Sequence, residues 1–251
     1  TFSSQAKHPY EARRQGSLEP EGELSQVTLE KGKGFEQALK DLEGFERIWL
    51  IYDFHHNENW KALVLPPRGP HIKRGVFATR APYRPNPIGL SAVELVKIEG
   101  LTLTLKGADL LDGTPILDLK PYLPYADAFP SAKAGWTEGL NATQFKVEFA
   151  TLAQDQIAWL ESHGVSQLRD FLASQLEFDP IDERRKRVVK TKAIADSDVD
   201  ISDFQISYRT WRADFTLDRT TKSVLVTKIS SGYSSDELQN STDIYEDKSI
   251  H

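Results

Sequence analysis

The stretch "GVFATRAPYRPNPIGLSAVELVKIEG" (residues 75–100) decides the fold, because it joins apolar, strand-like segments through a stiff turn. Within it, "RPNPIGLS" (residues 84–91) places a proline on each side of an asparagine. Proline has a fixed φ and no backbone N–H, so this segment cannot continue a strand ladder. The residues after the turn alternate between apolar and polar, which is typical of a strand. We therefore predict a rigid turn between two strands that fixes Arg84 and Asn86.

The sequence on both sides of this turn predicts further short strands and little helix between about residues 46 and 150. "FERIWLIYDFH" alternates and is apolar on both sides, which predicts a strand buried on both faces. "LTLTLKGADL" is the clearest strand pattern. Six or seven short strands favour an antiparallel barrel or closed sheet. The other strand candidates are "ALVLPPRG", "RGVFATR", "TPILDLKPYLPY" and "TQFKVEFA".

Around these strands the pattern changes. Residues 1–34 are polar and turn-rich, and "FEQALKDLEGF" predicts a helix. After residue 150, "AQDQIAWLESHG" and "VSQLRDFLASQLE" have helical periodicity, and "DFQISYRTWRADF" with "KSVLVTKI" predicts a strand pair. The last part is polar and acidic, which favours a flexible tail. We therefore predict a barrel domain over residues 1–150, a smaller α+β domain over 151–230 and a tail over 231–251.

Composition limits the possible functions. The chain has 251 residues, 39% of them hydrophobic, which suffices for one large or two smaller cores. Cysteine is absent, so disulfides and thiolate metal sites are excluded. No apolar run approaches the ~18 residues of a membrane span, and no signal peptide is recognisable. The net charge of −6 does not exclude a nucleic-acid partner, because local basic patches contact phosphate. Methionine is absent too, and we expect that Thr1 is not the natural start.

Several common catalytic and binding motifs are missing from the sequence. It contains no GxGxxG after a strand, no Walker loop, no HExxH and no Gly-x-Ser-x-Gly. His55 and His56 are adjacent, and neighbouring residues on a strand point to opposite faces, so we predict no metal site there.

Four polar turns remain as candidates. Each on its own is typical of a barrel corner, but four such turns on a small barrel favour a rim that binds a ligand. They carry arginine, histidine, aspartate and glycine. The turns are "RRQGSL", "FHHNENW", "YRPNPIGLS" together with Arg80, and "GADLLDGTP".

The sequence resembles the TrmO family of tRNA methyltransferases, also called YaeB or TsaA. The resemblance is carried by "GVFATRAPYRPNPIGLS" and "DLLDGTPILDLKPYLPYAD", and also by "LEGFERIWLIYDFHH" and "KHPYEARRQG". It is dense from residue 1 to about 130 and loose beyond. It implies a single-sheet antiparallel β-barrel, S-adenosylmethionine as the methyl donor, a homodimer and a cytoplasmic location. The implied substrate is N6-threonylcarbamoyladenosine next to the anticodon of tRNA, methylated on N6.

The resemblance also assigns a cofactor pocket. Leu90 is expected to act through its backbone, since its side chain offers only apolar contact. Arg80 is expected to hold a carboxylate, either that of the cofactor or that of the threonyl group. The full cofactor set is Gln15, Gly16, Ser17, Leu18, His55, His56, Arg80, Leu90, Lys106, Gly107, Ala108, Asp109 and Leu110.

A second set is expected to form the catalytic site and to bind the modified base. The N6 proton needs an acceptor, and either Asp112 or His55 can fill that role. Arg84 and Asn86 either meet the substrate or support the turn. Further substrate contacts are expected from Thr114, Asp118 and Lys120, and tRNA contacts from Arg184, Arg185, Lys186 and Arg187 within the basic run that ends at Lys192.

Two departures from the family pattern affect these assignments. The Arg-Gln-Pro-Gly of the family is Arg14-Gln15-Gly16-Ser17 in this chain, and its Asp-Pro-Arg-Pro-Ala-Tyr-Arg is "DPIDERR" at residues 179–185.

Two other functions remain open. One is a non-catalytic RNA-binding barrel that stacks bases on its aromatic residues. The other is a methyltransferase with a small-molecule or different nucleotide substrate.

Overall fold

A computed structural model describes residues 1–7, 24–66, 69, 72–140, 144–165, 167–178, 180–181, 188–192, 201–240, 242–243 and 245–251. The fold is mainly β, as the sequence predicted, and the chain divides into two compact units, residues 1–135 and residues 136–251. No helix in these ranges is long and apolar enough to cross a membrane.

The first unit contains a six-stranded antiparallel sheet with the strand order β1-β2-β7-β6-β3-β8. A separate two-stranded hairpin pairs β4 with β5. The strands are β1 (Phe2–Ser3), β2 (Leu24–Thr28), β3 (Arg47–Asp53), β4 (Leu63–Val64), β5 (Arg74–Gly75), β6 (Ile88–Glu99), β7 (Thr102–Lys106) and β8 (Ile116–Pro121). Two short helices, α1 (Phe35–Ala38) and α2 (Pro124–Asp127), and 3₁₀ turns at Leu42–Gly44 and Val76–Ala78 complete it.

Strand β3 lies between β6 and β8 and anchors the core of the sheet. Ile48, Leu50 and Tyr52 are buried on one face, while the residues between them are half-buried. The sequence predicted burial on both faces, and the structure gives full burial on one face only. The same core contains Phe2, Val27, Leu39, Val93, Leu95, Leu103, Leu105 and Leu110.

The sheet is not a closed ring of paired strands in the described residues, so the barrel stays a prediction. Its outermost strands in the pairing order are β1 and β8. Just before β8, Phe2 N donates to the Thr114 carbonyl at 3.2 Å, and Gly113 N donates to the Phe2 carbonyl at 2.9 Å.

Residues 1–34 contain strands that the polar composition did not predict. In β2 the inward positions are Ser25 and Val27, so only one inward side chain is apolar and the pattern is weak. The helix predicted for residues 35–45 is shorter than expected. It is interrupted at Asp41, which has a left-handed φ of 67° and separates α1 from a 3₁₀ turn.

The second unit is a five-stranded sheet with helices. The strand order is β10-β11-β12-β13-β9, and only the β13–β9 pair is parallel among the described strands. The elements are β9 (Lys146–Phe149), α3 (Thr151–Ser162), α4 (Leu168–Leu176), β10 (Val188–Lys192), β11 (Ile201–Tyr208), β12 (Trp211–Asp218), β13 (Ser223–Ser231), α5 (Ser235–Asn240) and a 3₁₀ turn at Lys248–Ile250.

Two features differ from the sequence expectation: the sheet to which β9 belongs and the structure of the final segment. The sequence grouped β9 with the first domain, whereas β9 pairs with β13 of the second unit. Residues 231–251, expected as a flexible tail, include α5. Their Asp247 is buried and accepts hydrogen bonds from Thr210 Oγ1 at 2.6 Å and Trp211 Nε1 at 3.0 Å.

Candidate functional site

A pocket of about 690 Å³ lies in the first unit, where several strand ends and turns meet. This volume is typical of small-molecule sites, and its lining mixes apolar and charged side chains in the way such sites do. The lining residues are Trp49, Tyr52, Asp53, Phe54, His55, His56, Asn57, Thr79, Arg80, Pro82, Tyr83, Arg84, Ile88, Gly89, Leu90, Asp109, Leu110, Leu111 and Thr114.

The pocket brings together eight of the residues that the sequence singled out: His55, His56, Arg80, Arg84, Leu90, Asp109, Leu110 and Thr114. Other predicted residues are not among its lining: Asn86, Lys106, Gly107, Ala108, Asp112, Asp118 and Lys120. The predicted Gln15, Gly16, Ser17, Leu18, Arg184, Arg185, Lys186 and Arg187 lie outside the described residues.

Two lining residues, Tyr52 and Asp109, and the buried Ser91 that joins them form what we call the pocket floor. The Ser91 hydroxyl donates to Asp109 Oδ1 at 2.5 Å, and the Tyr52 hydroxyl lies 3.3 Å from Ser91 Oγ. A serine hydroxyl has a single hydrogen, so Tyr52 donates to Ser91 when Ser91 donates to Asp109. The chain of hydrogen bonds fixes the Asp109 carboxylate at the pocket wall.

Burial and, to a smaller extent, the nearby Asp109 carboxylate raise the pKa of Tyr52 to about 12. The phenol is therefore neutral at physiological pH and keeps the hydrogen that it donates to Ser91. This keeps the Tyr52 phenol in one protonation state over the range in which a cell operates.

Two glycines shape the floor. A Cβ on Gly89 would lie 2.2 Å from Tyr52 Cε2, so only glycine lets the Tyr52 ring pack against strand β6. Gly107 has a left-handed φ of 78° directly after β7 ends, a conformation that glycine adopts at little cost. This bend turns the chain so that Asp109 and Leu110 enter the pocket while Lys106 to Ala108 do not.

Arg84 supports the pocket wall from within the turn that the sequence singled out. Its Nη1 donates to the carbonyl of Val76 at 3.1 Å and to the carbonyl of Thr79 at 2.9 Å. Its guanidinium also lies 5.6 Å from the centre of the Phe77 ring. Arg84 thus ties the turn at residues 82–87 to the 3₁₀ turn that precedes Arg80.

The proline-rich turn itself is held by tight backbone bonds. Arg84 N donates to the Pro82 carbonyl at 2.8 Å, and Ile88 N donates to the Asn86 carbonyl at 2.7 Å. Both are i to i+2 bonds of γ-turn type. Pro87 cannot donate, but its carbonyl accepts from Phe54 N at 2.7 Å, which joins the turn to the end of β3.

His55 and His56 sit side by side in the pocket lining. Strand β3 ends at Asp53, and Asn57 N donates to the Phe54 carbonyl at 2.8 Å, so both histidines are central residues of a tight turn. Their ring centres are 3.9 Å apart. The sequence argument that they point to opposite faces fails, because the strand ends before them. Within the described part of the chain, no cluster of three or more metal-ligating side chains is found.

The turn with Asp112 is bound to the segment that follows β1. Asp112 Oδ1 accepts from Ser4 N at 3.0 Å, and Asp112 N donates to the Ala6 carbonyl at 2.8 Å. Thr114 is buried in the pocket lining, and its hydroxyl donates to the Leu111 carbonyl at 2.7 Å. Asp112 is therefore part of the turn that precedes β8.

Asp118 and Lys120 lie on β8 and pair with each other. Lys120 Nζ is 2.9 Å from Asp118 Oδ2, and both side chains are exposed. The hydrogen bond from Lys120 lowers the pKa of Asp118. An exposed pair of this kind contributes about 0–1 kcal/mol to stability.

Trp49 forms an aromatic wall that the sequence did not indicate. Its indole N–H donates to Asp127 Oδ2 at 3.0 Å, and its ring lies 5.4 Å from the Tyr122 ring. Asp127 also accepts from Leu123 N at 2.9 Å, and these bonds lower its pKa. Helix α2 thereby fixes the Trp49 ring against the pocket.

Sequence reasoning missed Tyr52, Ser91 and Asp53 as site residues. Tyr52 falls in the apolar alternation of β3 and was interpreted as core. Ser91 follows Gly89 by two positions, a spacing that places both residues on one face of β6. Asp53 is the last residue of β3, and a polar side chain at a strand end was a usable signal.

The sequence and the fold are matched by known proteins. Residues 1–128 match the model of the tRNA-methyltransferase O N-terminal domain family. The tRNA (adenine(37)-N6)-methyltransferase of Escherichia coli is 37% identical over 185 residues, covering 71% of this chain and 77% of the relative. A probable S-adenosyl-L-methionine-binding protein of Pyrococcus abyssi is 49% identical over 111 residues, covering 44% of this chain and 60% of that relative.

A solved structure has a similar fold. The crystal structure of TrmO from Pseudomonas aeruginosa superposes with a TM-score of 0.60 at 27% identity, covering 92% of this chain and 95% of that one. The family inferred from the sequence motifs is thus confirmed. The chain belongs to the tRNA-methyltransferase O family, a family of S-adenosylmethionine-dependent tRNA (adenine-N6)-methyltransferases.

Proposed function

We propose that this chain methylates N6 of threonylcarbamoyladenosine next to the anticodon of tRNA, with S-adenosylmethionine as the donor. The observation that carries the proposal is the pocket in which a fixed carboxylate, two adjacent histidines with ring centres 3.9 Å apart and Arg80 converge. Family membership supports the methyl transfer and the tRNA substrate. The threonylcarbamoyl group is our further specification.

The pocket residues fit S-adenosylmethionine. The volume of about 690 Å³ suits a ligand of that size, and the apolar side chains of Leu90 and Leu110 can face an adenine ring. The fixed Asp109 carboxylate can accept hydrogen bonds from ribose hydroxyls or from an ammonium group. Arg80 can pair with a carboxylate. When bound, the cofactor supplies an electrophilic methyl group for in-line displacement.

The task of the protein is to align the acceptor nitrogen and to remove its proton. The N6 atom belongs to a urea-like group with a delocalised lone pair, so it is a poor nucleophile while protonated. We assign the proton to His55, since His55 lines the pocket and Asp112 does not. Asp112 then maintains the turn through its bond to Ser4 N. Arg84 supports Arg80 and Tyr83 through the backbone rather than touching substrate.

The remaining expectations from the family resemblance are also part of this proposal. We expect the six-stranded sheet to close as a barrel, and the two hydrogen bonds between Phe2 and residues 113 and 114 support this. We expect a homodimer in the cytoplasm. We expect the basic run from Arg184 to Lys192, with Arg184 to Arg187 at its start, to contact tRNA phosphates.

Nucleoside mass analysis tests the proposal directly. We expect tRNA from a strain lacking this gene to lose one methyl group from threonylcarbamoyladenosine and the gene to restore it. Restored methylation of another nucleoside would contradict the substrate and favour a different methyltransferase. Calorimetry with S-adenosylmethionine provides the second measurement, since a non-catalytic RNA-binding protein would show no specific uptake.

A further inference from the structure

We propose that the segment between β3 and β6 is a docking surface for single-stranded RNA, which binds the nucleotides that flank the target base. This surface consists of residues 60–66 and 72–84, and we call it the basic lip. The proposal rests on the tRNA substrate proposed above, and it adds a binding surface most of whose residues, Arg80 and Arg84 apart, were given no role by the family resemblance.

All charged residues of this segment are basic. Between Glu58 and Glu94 the sequence contains no aspartate or glutamate, although the whole chain has more acidic than basic residues, 37 against 31. A local excess of positive charge on an acidic protein fits a polyanionic partner. The basic residues of the interval are Lys61, Arg68, Lys73, Arg74, Arg80 and Arg84.

The same segment exposes aromatic rings. Phe77 is 76% exposed, Trp60 is 55% exposed and Tyr83 is 37% exposed. Isolated apolar residues are normal on a protein surface, but three aromatic rings among cations within one short segment are the arrangement that binds single-stranded nucleic acid. Bases stack on the rings while cations contact the phosphates.

The lip is a connected structure that borders the pocket. Lys61 N donates to the Tyr83 carbonyl at 3.1 Å, and Lys61 Nζ lies 4.3 Å from the centre of the Tyr83 ring. Val76 N donates to the Ala62 carbonyl at 3.0 Å, next to the β4–β5 hairpin. Arg84 holds the Phe77 turn by its two carbonyl bonds, and Tyr83 and Arg84 also line the pocket.

This geometry favours an RNA strand that lies on the lip and enters the pocket. Phe77 is held on one side by Arg84 and presents its ring outward. A base inserted into the pocket from a single strand leaves neighbours whose π-faces need a platform. A second copy of this chain is a poor occupant, since the lip would bring like charges together across a twofold axis.

Filter binding of bulk tRNA, purified from a strain lacking the gene, tests the lip at several KCl concentrations. The charge variant is Lys61→Gln with Lys73→Gln, and its matched control is Lys33→Gln with Lys40→Gln, two exposed lysines of the same unit. We expect the slope of log affinity against log salt to fall by roughly 1.4 for the lip variant, two phosphate contacts on a single strand, and to stay unchanged for the control.

The stacking variants are Phe77→Ala and Phe77→Trp. We expect Phe77→Ala to weaken tRNA binding roughly tenfold with an unchanged salt slope, and Phe77→Trp to restore it, because stacking tolerates any aromatic ring. Calorimetry with S-adenosylmethionine is expected to give wild-type affinity for every variant, which shows that the pocket remains folded.

Three results would contradict the proposal that the lip binds RNA. The first is a lip variant whose salt slope equals that of the control. The second is an equal loss of cofactor and tRNA affinity in the same variant. The third is a changed oligomeric state with unchanged tRNA binding, which would assign the surface to a second copy. If wild-type protein binds tRNA through the lip but methylates no adenosine, the lip stands and the proposed function fails.

Discussion

The pocket floor and the basic lip border the same pocket but satisfy their polar groups in different ways. In the floor, Tyr52, Ser91 and Asp109 bond to one another and Tyr52 is almost completely buried. In the lip, Lys73 and Phe77 are exposed, and order comes from backbone bonds and from Arg84. The difference teaches that the structure of the floor depends on shape and on the fixed protonation of Tyr52. RNA binding by the lip depends instead on charge and exposed ring area.

His55 provides the largest expected effect, because it lines the pocket and is the proposed acceptor of the N6 proton. We expect His55→Ala to lower the single-turnover rate of tRNA methylation at saturating cofactor by roughly 10²- to 10³-fold, the range for losing a general base. Asp112→Asn is the matched comparison. Its amide oxygen can still accept from Ser4 N, so we expect a change of roughly threefold or less. The reverse ranking would transfer the base role to Asp112.

Gly89→Ala tests whether the floor depends on shape. The new Cβ would overlap the Tyr52 ring, and overpacking of this kind costs about 1–3 kcal/mol of unfolding free energy. We expect this loss in urea unfolding, together with a loss of cofactor affinity of roughly tenfold as the Asp109 position shifts. Gly44→Ala is the control, because nothing lies within 4 Å of its added Cβ. Adding Tyr52→Ala to Gly89→Ala should restore part of the stability, and a strictly additive double variant would contradict the overlap.

Arg84→Lys tests the support of the lip. Lysine keeps the charge but cannot reach both carbonyls in the fixed fork of a guanidinium, so the bonds to Val76 and Thr79 are weakened. We expect a loss of about 1–2 kcal/mol of unfolding free energy, typical of charged hydrogen bonds. Faster hydrogen exchange at residues 76–80 is the direct measurement. Unchanged exchange with reduced methylation would instead place Arg84 in contact with substrate.

Tyr52→Phe gives the smallest effect and a distinct pH dependence. The pKa of Tyr52 is raised in the folded protein to about 12 from its usual value of 10.0, so its stabilising effect is complete below pH 10.0 and is lost as the pH rises towards 12. We expect wild-type stability to fall more steeply than that of Tyr52→Phe in this window, and the two to differ by about 1 kcal/mol or less at pH 7. Identical slopes would mean that Tyr52 is not protected by the floor.

The sheet was largely predictable from sequence, and the reason is visible in β3, β6 and β7. In β3 and β6 the alternation of the sequence matches the fuller burial of one face, whereas in β7 the intervening Thr104 is buried as well. Strand β2 was missed because one of its two inward positions is a serine. The placement of β9 was also missed, since pairing with β13 depends on residues far along the chain.

The site was predictable only in part. The motifs indicated His55, Arg80 and Asp109, which the pocket brings together. The floor was not predictable, because Tyr52 looks like a core residue and becomes a pocket residue only where Gly89 leaves room for its ring. The supporting contacts of Arg84 were left open for the same reason, since they depend on the path of a 3₁₀ turn.

The parallel pairing of β9 with β13 has a consequence for biosynthesis. Every strand of the first unit lies before residue 122, so its sheet can assemble while the remainder of the chain is still being translated. The second sheet has its edge strand β9 at the start of that unit and needs the late β13 as its partner. Residues 146–149 therefore lack the strand with which they pair until residues 223–231 have left the ribosome. During that interval the nascent chain exposes a strand edge open to incorrect pairing, and a chaperone is expected to act on this unit rather than on the first.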